Sequence, residues 1–142
     1  MSDIAPEIET LEHRFMRAWM RADRAEMRKL MLRDFIWIVG AERPQFLDRP
    51  SFLDACDRNF SCTGYRLREV VARQHGKCAW FTAGIDLEMK LGGDDWQGQF
   101  WLTDLWRKVA FKRGWKLAER SLSRCEPDEK YSHAIHRLQL WT

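Results

Sequence analysis

The chain has 142 residues, of which 45% are hydrophobic and 32% charged, a composition typical of one folded domain. Its 24 basic and 21 acidic residues give a formal charge of +3 but form no basic block, which argues against nucleic-acid binding. The acidic start lacks the apolar stretch of a signal peptide, and no segment approaches the length that spans a bilayer. We therefore expect a cytoplasmic protein without a membrane partner.

Helices are predicted in the first part of the chain. Apolar residues recur every three or four positions from Ile8 to Ala22, which predicts an amphipathic helix. Asp23 followed by Glu26 has the spacing of a capping box, in which the aspartate accepts from a backbone N–H and the glutamate reaches back. A second short helix should start there. A first strand is predicted from Phe35 to Val39, and Pro50, after a loop, predicts the start of a third helix.

Alternation of apolar and polar residues then predicts a run of antiparallel strands. The clearest of these strands is Cys78–Leu91, which has one apolar face and, from Thr82 onward, one polar face. Turns containing glycine separate the strands. The predicted strands are Tyr65–Gln74, Cys78–Leu91, Gln99–Val109 and Trp115–Arg124.

The last two strands form a hairpin that carries large apolar side chains on both faces. Its alternating sets are Phe100, Leu102 and Trp106 against Trp101, Leu105 and Val109. Helices can cover only one face of a sheet, so we expect a second copy of the chain to cover the other. The prediction is a homodimer through the sheet face, with Trp80 as a contributor. Residues 127–142 are predicted to be a C-terminal extension that packs on the domain or on the partner subunit.

Metal and cofactor motifs are sparse. His75 and Cys78 have HxxC spacing, and His133 and His136 have HxxH spacing, but neither pair completes a set of three or four ligands. We therefore expect no metal and no cofactor. The four cysteines are predicted to be free thiols, since a cytoplasmic domain of this size does not need disulfides.

Two runs of the sequence resemble a known superfamily. The run WMRADRAEMRKLMLRDFIWIVG and the pair TDLWRK and GWKLAERSLS are similar to the helices, first strand and closing hairpin of the nuclear transport factor 2-like superfamily. The pattern is closest to the SnoaL-like branch catalogued as domain of unknown function 4440, and the resemblance covers most of residues 8 to 124. Such motifs carry fold better than activity.

The resemblance implies an α+β fold for residues 1–126. N-terminal helices would pack in the concave face of a strongly curved, mostly antiparallel β-sheet, forming a cystatin-like cone. Members of the superfamily include isomerases, cyclases and hydrolases that act on small apolar molecules, as well as proteins that assemble others.

The acid–base pair of the ketosteroid isomerase relatives is missing. Those relatives use a carboxylate near the end of the first strand and a tyrosine on the first helix, and the matching positions here hold Val39 and Phe15. Val39 has no basic atom and Phe15 no hydroxyl donor. That chemistry is therefore absent unless other residues replace it.

Glu119 and Arg107 are the candidate catalytic residues. Several relatives carry histidines where this chain has Glu119 and Ser121, and alternation with Trp115 and Leu117 predicts that these side chains face the cone. Across the hairpin, Arg107 would lie diagonal to Glu119. The two could bind a polar group or position water, but an ion pair that fixes the hairpin is the favoured interpretation.

The hairpin register makes further predictions. Glu119 should lie opposite Leu105 and Ser121 opposite Thr103, whereas Asp104 should pair with Arg120 in a salt bridge on the outer face. A shift by one residue would exchange the faces.

Aromatic side chains are the candidate ligand contacts. Eight Trp and eight Phe are more than a small core needs, so some should line a cavity or an association surface. A packed core is the favoured interpretation, and an apolar pocket the alternative. The residues predicted to face the cone and bind a ligand are Phe15, Trp19, Trp37, Val39, Phe81, Trp101, Thr103 and Ser121.

Two functions remain open from the sequence. The first is a SnoaL-like pocket protein, a homodimer that binds a small apolar ligand or serves as an assembly module. The second is a cofactor-independent isomerase, cyclase or hydrolase that acts on a small hydrophobic substrate through Glu119 and Arg107.

Overall fold

The computed structural model describes residues 3–40, 43–109, 114–125 and 129–141, of which 129–132 by backbone alone. The helices are α1 (Ala5–Met20), α2 (Arg24–Leu30), α3 (Arg49–Ala55) and α4 (Glu129–His136). The strands are β1 (Met31–Gly40), β2 (Pro44–Asp48), β3 (Phe60–His75), β4 (Cys78–Leu91), β5 (Asp94–Lys108) and β6 (Trp115–Arg124).

The six strands form one curved, unclosed sheet in the order β2-β1-β6-β5-β4-β3. All neighbouring strands are antiparallel except β1 and β6, which are parallel. The long strand β3 changes register twice against β4, and Glu69 at the second change has φ 53°. Such bulges bend a strand and strengthen its twist. The predicted α+β fold, with N-terminal helices against the concave face of a mostly antiparallel sheet, is confirmed.

Helix α1 lies along the concave face because its apolar residues fall on one side. Ile8, Phe15, Met16 and Trp19 are all at most 1% exposed. The helix ends at Met20, two residues before the predicted end, because Ala22 turns the chain with φ 55°.

The cap of α2 is only half of the predicted capping box. The Asp23 carboxylate accepts from the backbone N–H of Glu26 at 3.1 Å. The Glu26 carboxylate, however, binds Arg14 on α1 instead of reaching back. Asp23 thus caps the start of α2, and Glu26 connects α2 to α1 through its ion pair with Arg14.

Strand boundaries differ from the prediction in β1, β2 and β3. β1 starts at Met31, four residues before the predicted start, and β3 starts at Phe60. β2 lies where a loop was predicted, because residues Pro44 to Asp48 pair with β1. Its proline occupies the first residue of an edge strand, where a missing N–H is tolerated.

The hairpin of β5 and β6 contains a β-bulge that the sequence pattern does not predict. The predicted pairs of Leu105 with Glu119, Thr103 with Ser121 and Asp104 with Arg120 are all present. The register then shifts, so that Trp106 pairs with Leu117 and Ala118 is the extra residue. One inserted residue reverses the alternation of the side chains that follow it. Trp115 and Leu117 therefore share the concave side with Arg120, not with Glu119.

The C-terminal segment carries exposed apolar side chains. Ile135, Leu138, Leu140 and Trp141 are 58%, 72%, 98% and 82% exposed. The division of the chain at residue 126 and the docking of this segment stay predictions. Among the described residues, no helix is long and apolar enough to cross a membrane.

Candidate functional site

Among the residues that the structure describes, three charged side chains are buried inside the cone, where α1 meets β5 and β6. Glu12 on α1 and Asp104 on β5 are 0% exposed, and Arg120 on β6 is 1% exposed. These residues are here called the buried charge cluster. Charged groups are almost never fully buried unless they are paired, so their partners decide what the cluster can do.

Arg120 joins the two carboxylates through short hydrogen bonds. Its Nε donates to Asp104 Oδ1 at 2.9 Å and its Nη2 to Asp104 Oδ2 at 2.8 Å, a bidentate pair. Nη2 also donates to Glu12 Oε2 at 3.0 Å, and Trp106 Nε1 donates to Glu12 Oε1 at 2.8 Å. The guanidinium carbon lies 4.4 Å from the centre of the Phe15 ring. Each charged group of the cluster thus has hydrogen-bond partners.

The cluster has one carboxylate more than its single guanidinium neutralises. Burial raises the pKa of Glu12 well above its usual value, and the neighbouring Asp104 charge raises it further, against the opposing effects of Arg120 and Trp106. Burial alone would lower the pKa of Arg120, but the charges of Asp104 and Glu12 outweigh it and raise that pKa. Burial and the neighbouring carboxylate thus both favour the protonated form of Glu12, because either effect penalises its charged form.

The aromatic residues predicted to face the cone fill it. Phe15, Trp19, Trp37 and Phe81 are at most 1% exposed, and the Trp19 and Trp37 ring centroids are 5.2 Å apart in an edge-on contact. Val39 packs against the same core with part of its surface exposed. A ligand could reach these rings only after side chains move, and their role as ligand contacts stays a prediction.

The remaining predicted site residues lie on the opposite face of the sheet. Glu119 and Arg107 are exposed, and the described residues contain no ion pair between them. Thr103 is exposed, Ser121 is half-buried, and Trp101 is 39% exposed. The prediction that these side chains face the cone was wrong. In β6 the Ala118 bulge reverses the face that presents Glu119 and Ser121. In β5 the concave face is occupied by buried Leu102, Asp104 and Trp106, so the residues that alternate with them point outward. The prediction that Asp104 and Arg120 pair on the outer face was wrong for the same reason.

These residues share the convex side of the sheet with several apolar groups. Cross-strand pairing places Ile36 beside Glu119, Glu119 beside Leu105, and Leu105 beside Trp80. The next row is polar at its centre, where the hydroxyl groups of Thr82 and Thr103 lie 3.1 Å apart. The outer sheet surface is defined here by Ile36, Ile38, Val71, Trp80, Thr82, Trp101, Thr103, Leu105, Glu119 and Ser121.

Sequence reasoning missed Glu12 and placed Asp104 and Arg120 on the wrong face. A signal for Glu12 was present, since it falls four residues after Ile8 and three before Phe15, within the apolar stripe of α1. Asp104 likewise alternates with Leu102 and Trp106 on the dry face of β5. A charged residue at an apolar-face position is the mark of a buried ionic site.

Metal-ligand groups are not assembled in the described part of the chain. No set of three or more His, Cys, Asp or Glu side chains there is arranged to hold a metal ion. His75 and Cys78 pair across the β3–β4 turn, and His133 and His136 lie exposed on α4.

Within the described residues, open surface clefts lie outside the cone. One, of about 660 Å³, follows the polar ends of β3, β4 and β5 and is lined by Gly64, Tyr65, Arg66, Asp86, Leu87, Glu88, Gln97, Gly98 and Gln99. Another, of about 600 Å³, lies between α1, α2 and the start of β6. Neither of these two is lined by a member of the buried charge cluster.

The comparison with known protein families agrees with the fold described above, a curved sheet closed by α1. Residues 8–126 match the sequence model of the SnoaL-like domain. The chain belongs to the SnoaL-like domain family. The predicted nuclear transport factor 2-like recognition is thereby confirmed, while the narrower resemblance to domain of unknown function 4440 stays a prediction. No curated protein matches the chain.

Solved structures similar to this SnoaL-like domain share its fold at low sequence identity. A nuclear transport factor 2-like protein from Cytophaga hutchinsonii has a TM-score of 0.77 at 13% identity, covering 87% of this chain and 100% of its own. A proposed Ca/calmodulin-dependent kinase II association domain from Exiguobacterium sibiricum has a TM-score of 0.74 at 20% identity, covering 90% and 99%. A proposed ketosteroid isomerase from Parabacteroides distasonis has a TM-score of 0.64 at 17% identity, covering 89% and 91%. At these identities the similarity carries the fold alone.

Proposed function

We propose that this SnoaL-like domain is a self-associating module, a homodimer formed through the outer sheet surface. The observation that carries the proposal is the contrast between the two faces of one sheet. The concave face is filled by buried aromatic rings, whereas the convex face leaves Trp101 39% and Val71 48% exposed. Uncovered aromatic and apolar side chains beside neutral hydroxyls are typical of association surfaces.

The composition of the outer sheet surface fits a second copy of the same chain. A two-fold interface must be complementary to itself, so groups that are both donors and acceptors are favoured near its axis. The Thr82 and Thr103 hydroxyls have that property, and they lie between the row that contains Leu105 and Trp80 and the row that contains Trp101. The similarity to a proposed kinase association domain supports assembly as a use of this fold.

Light scattering during size-exclusion chromatography tests the proposal. The wild-type chain should be a dimer at about micromolar concentration, and Trp101→Glu should weaken the dimer by about thirtyfold, since central aromatic contacts contribute about 2 kcal/mol or more. Met20→Glu is the matched control, because Met20 is an equally exposed apolar residue, 42%, at the end of α1. A monomeric wild type, or equal weakening by both variants, refutes the proposal.

A second candidate is a pocket protein for a small apolar ligand, or a cofactor-independent isomerase, cyclase or hydrolase. Two observations favour it over a purely structural cone. The pKa of Glu12 is raised well above its usual value by burial and by Asp104, which is common for catalytic acids. Within the described residues, the buried Trp37 Nε1 also has no hydrogen-bond partner. Because Glu119 and Arg107 lie outside the cone, Glu12 takes the acid–base role in this candidate.

Native mass spectrometry of the purified chain separates the two candidates. A small molecule retained from expression and lost in Trp19→Ala, with the fold kept by circular dichroism, supports the pocket. Its absence, together with unchanged dimerisation in Glu12→Gln, leaves the assembly module as the function.

A further inference from the structure

Two exposed side chains of opposite charge lie on the outer face of the sheet without pairing. They stand at the two ends of one row of cross-strand neighbours, which runs from Glu119 on β6 through Leu105 and Trp80 to Arg73 on β3. Within the described residues, neither charged side chain has an ion-pair or hydrogen-bond partner. Three strand spacings, about 14 Å, separate the two. Both charges are therefore available to a neighbouring molecule.

We propose that the two copies of the homodimer are related by a two-fold axis that runs along the strands between β4 and β5, and that Glu119 of each copy forms an ion pair with the partner's Arg73. This inference rests on the proposed function and adds the residues that select the partner. Such an axis places β5 over the partner's β4 and β6 over the partner's β3. Facing sheets lie about 10 Å apart, a distance that an arginine and a glutamate bridge together.

The same axis matches the uncharged groups between the two charges. In the row of Glu119, Leu105 comes to lie opposite the partner's Trp80, and both are half-buried apolar side chains. In the next row, Thr103 comes to lie opposite the partner's Thr82, and each hydroxyl can both donate and accept. Apolar groups thus meet apolar groups, and hydroxyls meet hydroxyls.

The third row brings an aromatic ring opposite a cation. Trp101 pairs with Gly84 across β5 and β4, and Gly84 pairs with Arg68 on β3. A Cβ atom on Gly84 would meet the Arg68 guanidinium at 3.2 to 3.3 Å, so the glycine lets this group lie over the strand. The axis places the Trp101 indole, which is 39% exposed, opposite the same position of the partner. There it can contact the guanidinium of the partner's Arg68, a favourable cation–π arrangement.

A two-fold axis across the strands would use the same face less well. It would run along the row of paired threonines and exchange the rows on either side of it. Glu119 would then lie opposite the partner's Ser123 and meet no cation, while Arg73 would lie opposite the partner's Arg68, a like charge. Like charges that face each other across an interface oppose association. The charges of this surface therefore favour the axis along the strands.

Charge reversal in the full chain, followed by light scattering, tests the proposal. Glu119→Arg and Arg73→Glu should each weaken the dimer by about tenfold or more, because each variant sets like charges opposite each other twice. Both changes in one chain should restore the dimer of the wild type. An equimolar mixture of the two single variants should also dimerise, since both ion pairs of the mixed dimer join opposite charges. Arg17→Glu is the control, because Arg17 is exposed on α1 and its variant undergoes the same change of charge as Arg73→Glu.

Light scattering of the wild type and its variants distinguishes a wrong axis from the absence of a dimer. A monomeric wild type refutes the dimer and with it these ion pairs. If the wild type is a dimer, the ion pairs alone are refuted when Glu119→Arg and Arg73→Glu act no more than Arg17→Glu, or when neither the double variant nor the mixture restores the dimer. Restoration of Glu119→Arg by Arg107→Glu instead of Arg73→Glu also overturns the axis. Circular dichroism checks that each variant is folded, and native mass spectrometry identifies the mixed dimer by its mass.

Discussion

Removal of Arg120 should expose how much the fold depends on the buried charge cluster. Arg120 donates to both oxygens of Asp104 at 2.8 to 3.2 Å and to Glu12 at 3.0 Å, and both carboxyl groups are 0% exposed. Arg120→Met keeps an unbranched apolar side chain but leaves two carboxyl groups buried without a cation. Breaking a buried ion pair in this way costs about 3–5 kcal/mol of unfolding free energy.

The pH dependence of that loss identifies its cause. Without the guanidinium, the native state of Arg120→Met must keep its carboxyl groups protonated, and this becomes more costly as pH rises. Urea unfolding should therefore show a loss of about 3–5 kcal/mol near pH 7.5 and a smaller loss near pH 5.

A double variant provides the control. Asp104→Asn in the Arg120→Met background removes one of the two acids, so it should recover part of the lost stability at neutral pH. A loss below about 1 kcal/mol in Arg120→Met, a larger loss at acid pH, or no recovery in the double variant would refute this account of the cluster.

Three further outcomes are expected. In the wild type, burial and Asp104 raise the pKa of Glu12 above its value of about 4.5 in the unfolded chain, so the unfolding free energy should fall as pH rises above that value. Glu12→Gln, compared by urea unfolding at several pH values, should lack this part of the decline; an unchanged profile contradicts the raised pKa of Glu12. Ala22→Gly should raise the unfolding free energy by about 0.5 kcal/mol, because the left-handed backbone at φ 55° is costly for alanine, whereas Ala25→Gly inside α2 should lower it by about 0.5–1 kcal/mol. Burial raises the pKa of Cys62 to about 11, so a thiol reagent at neutral pH should label exposed Cys125 within the folded chain and leave Cys62 unmodified until unfolding.

Local signals were sufficient for much of the fold. The three-and-four spacing of apolar residues located α1, and the Asp23 side chain located the start of α2, because both features act within a few residues. The long alternation of β4 likewise required no knowledge of its neighbours. The edge strand β2 was missed because its five residues are held by pairing with β1 and carry no strong pattern of their own.

The face on which the candidate site lies depended on the Ala118 bulge in β6, which side-chain alternation along the sequence does not predict. The sequence by itself determined the family, the first three helices and the pairing of Asp104 with Arg120 in the closing hairpin. Only the tertiary structure decided which side of the sheet that pair occupies, because the extra residue Ala118 reverses the faces of β6. Side-chain alternation is local, but the face that becomes buried is set by hydrogen bonding to the neighbouring strand and by the helix that covers it. Because of this bulge, Arg120 lies inside the cone with Asp104 as part of the buried charge cluster, although a surface salt bridge was predicted. Glu119 lies on the outer face for the same reason.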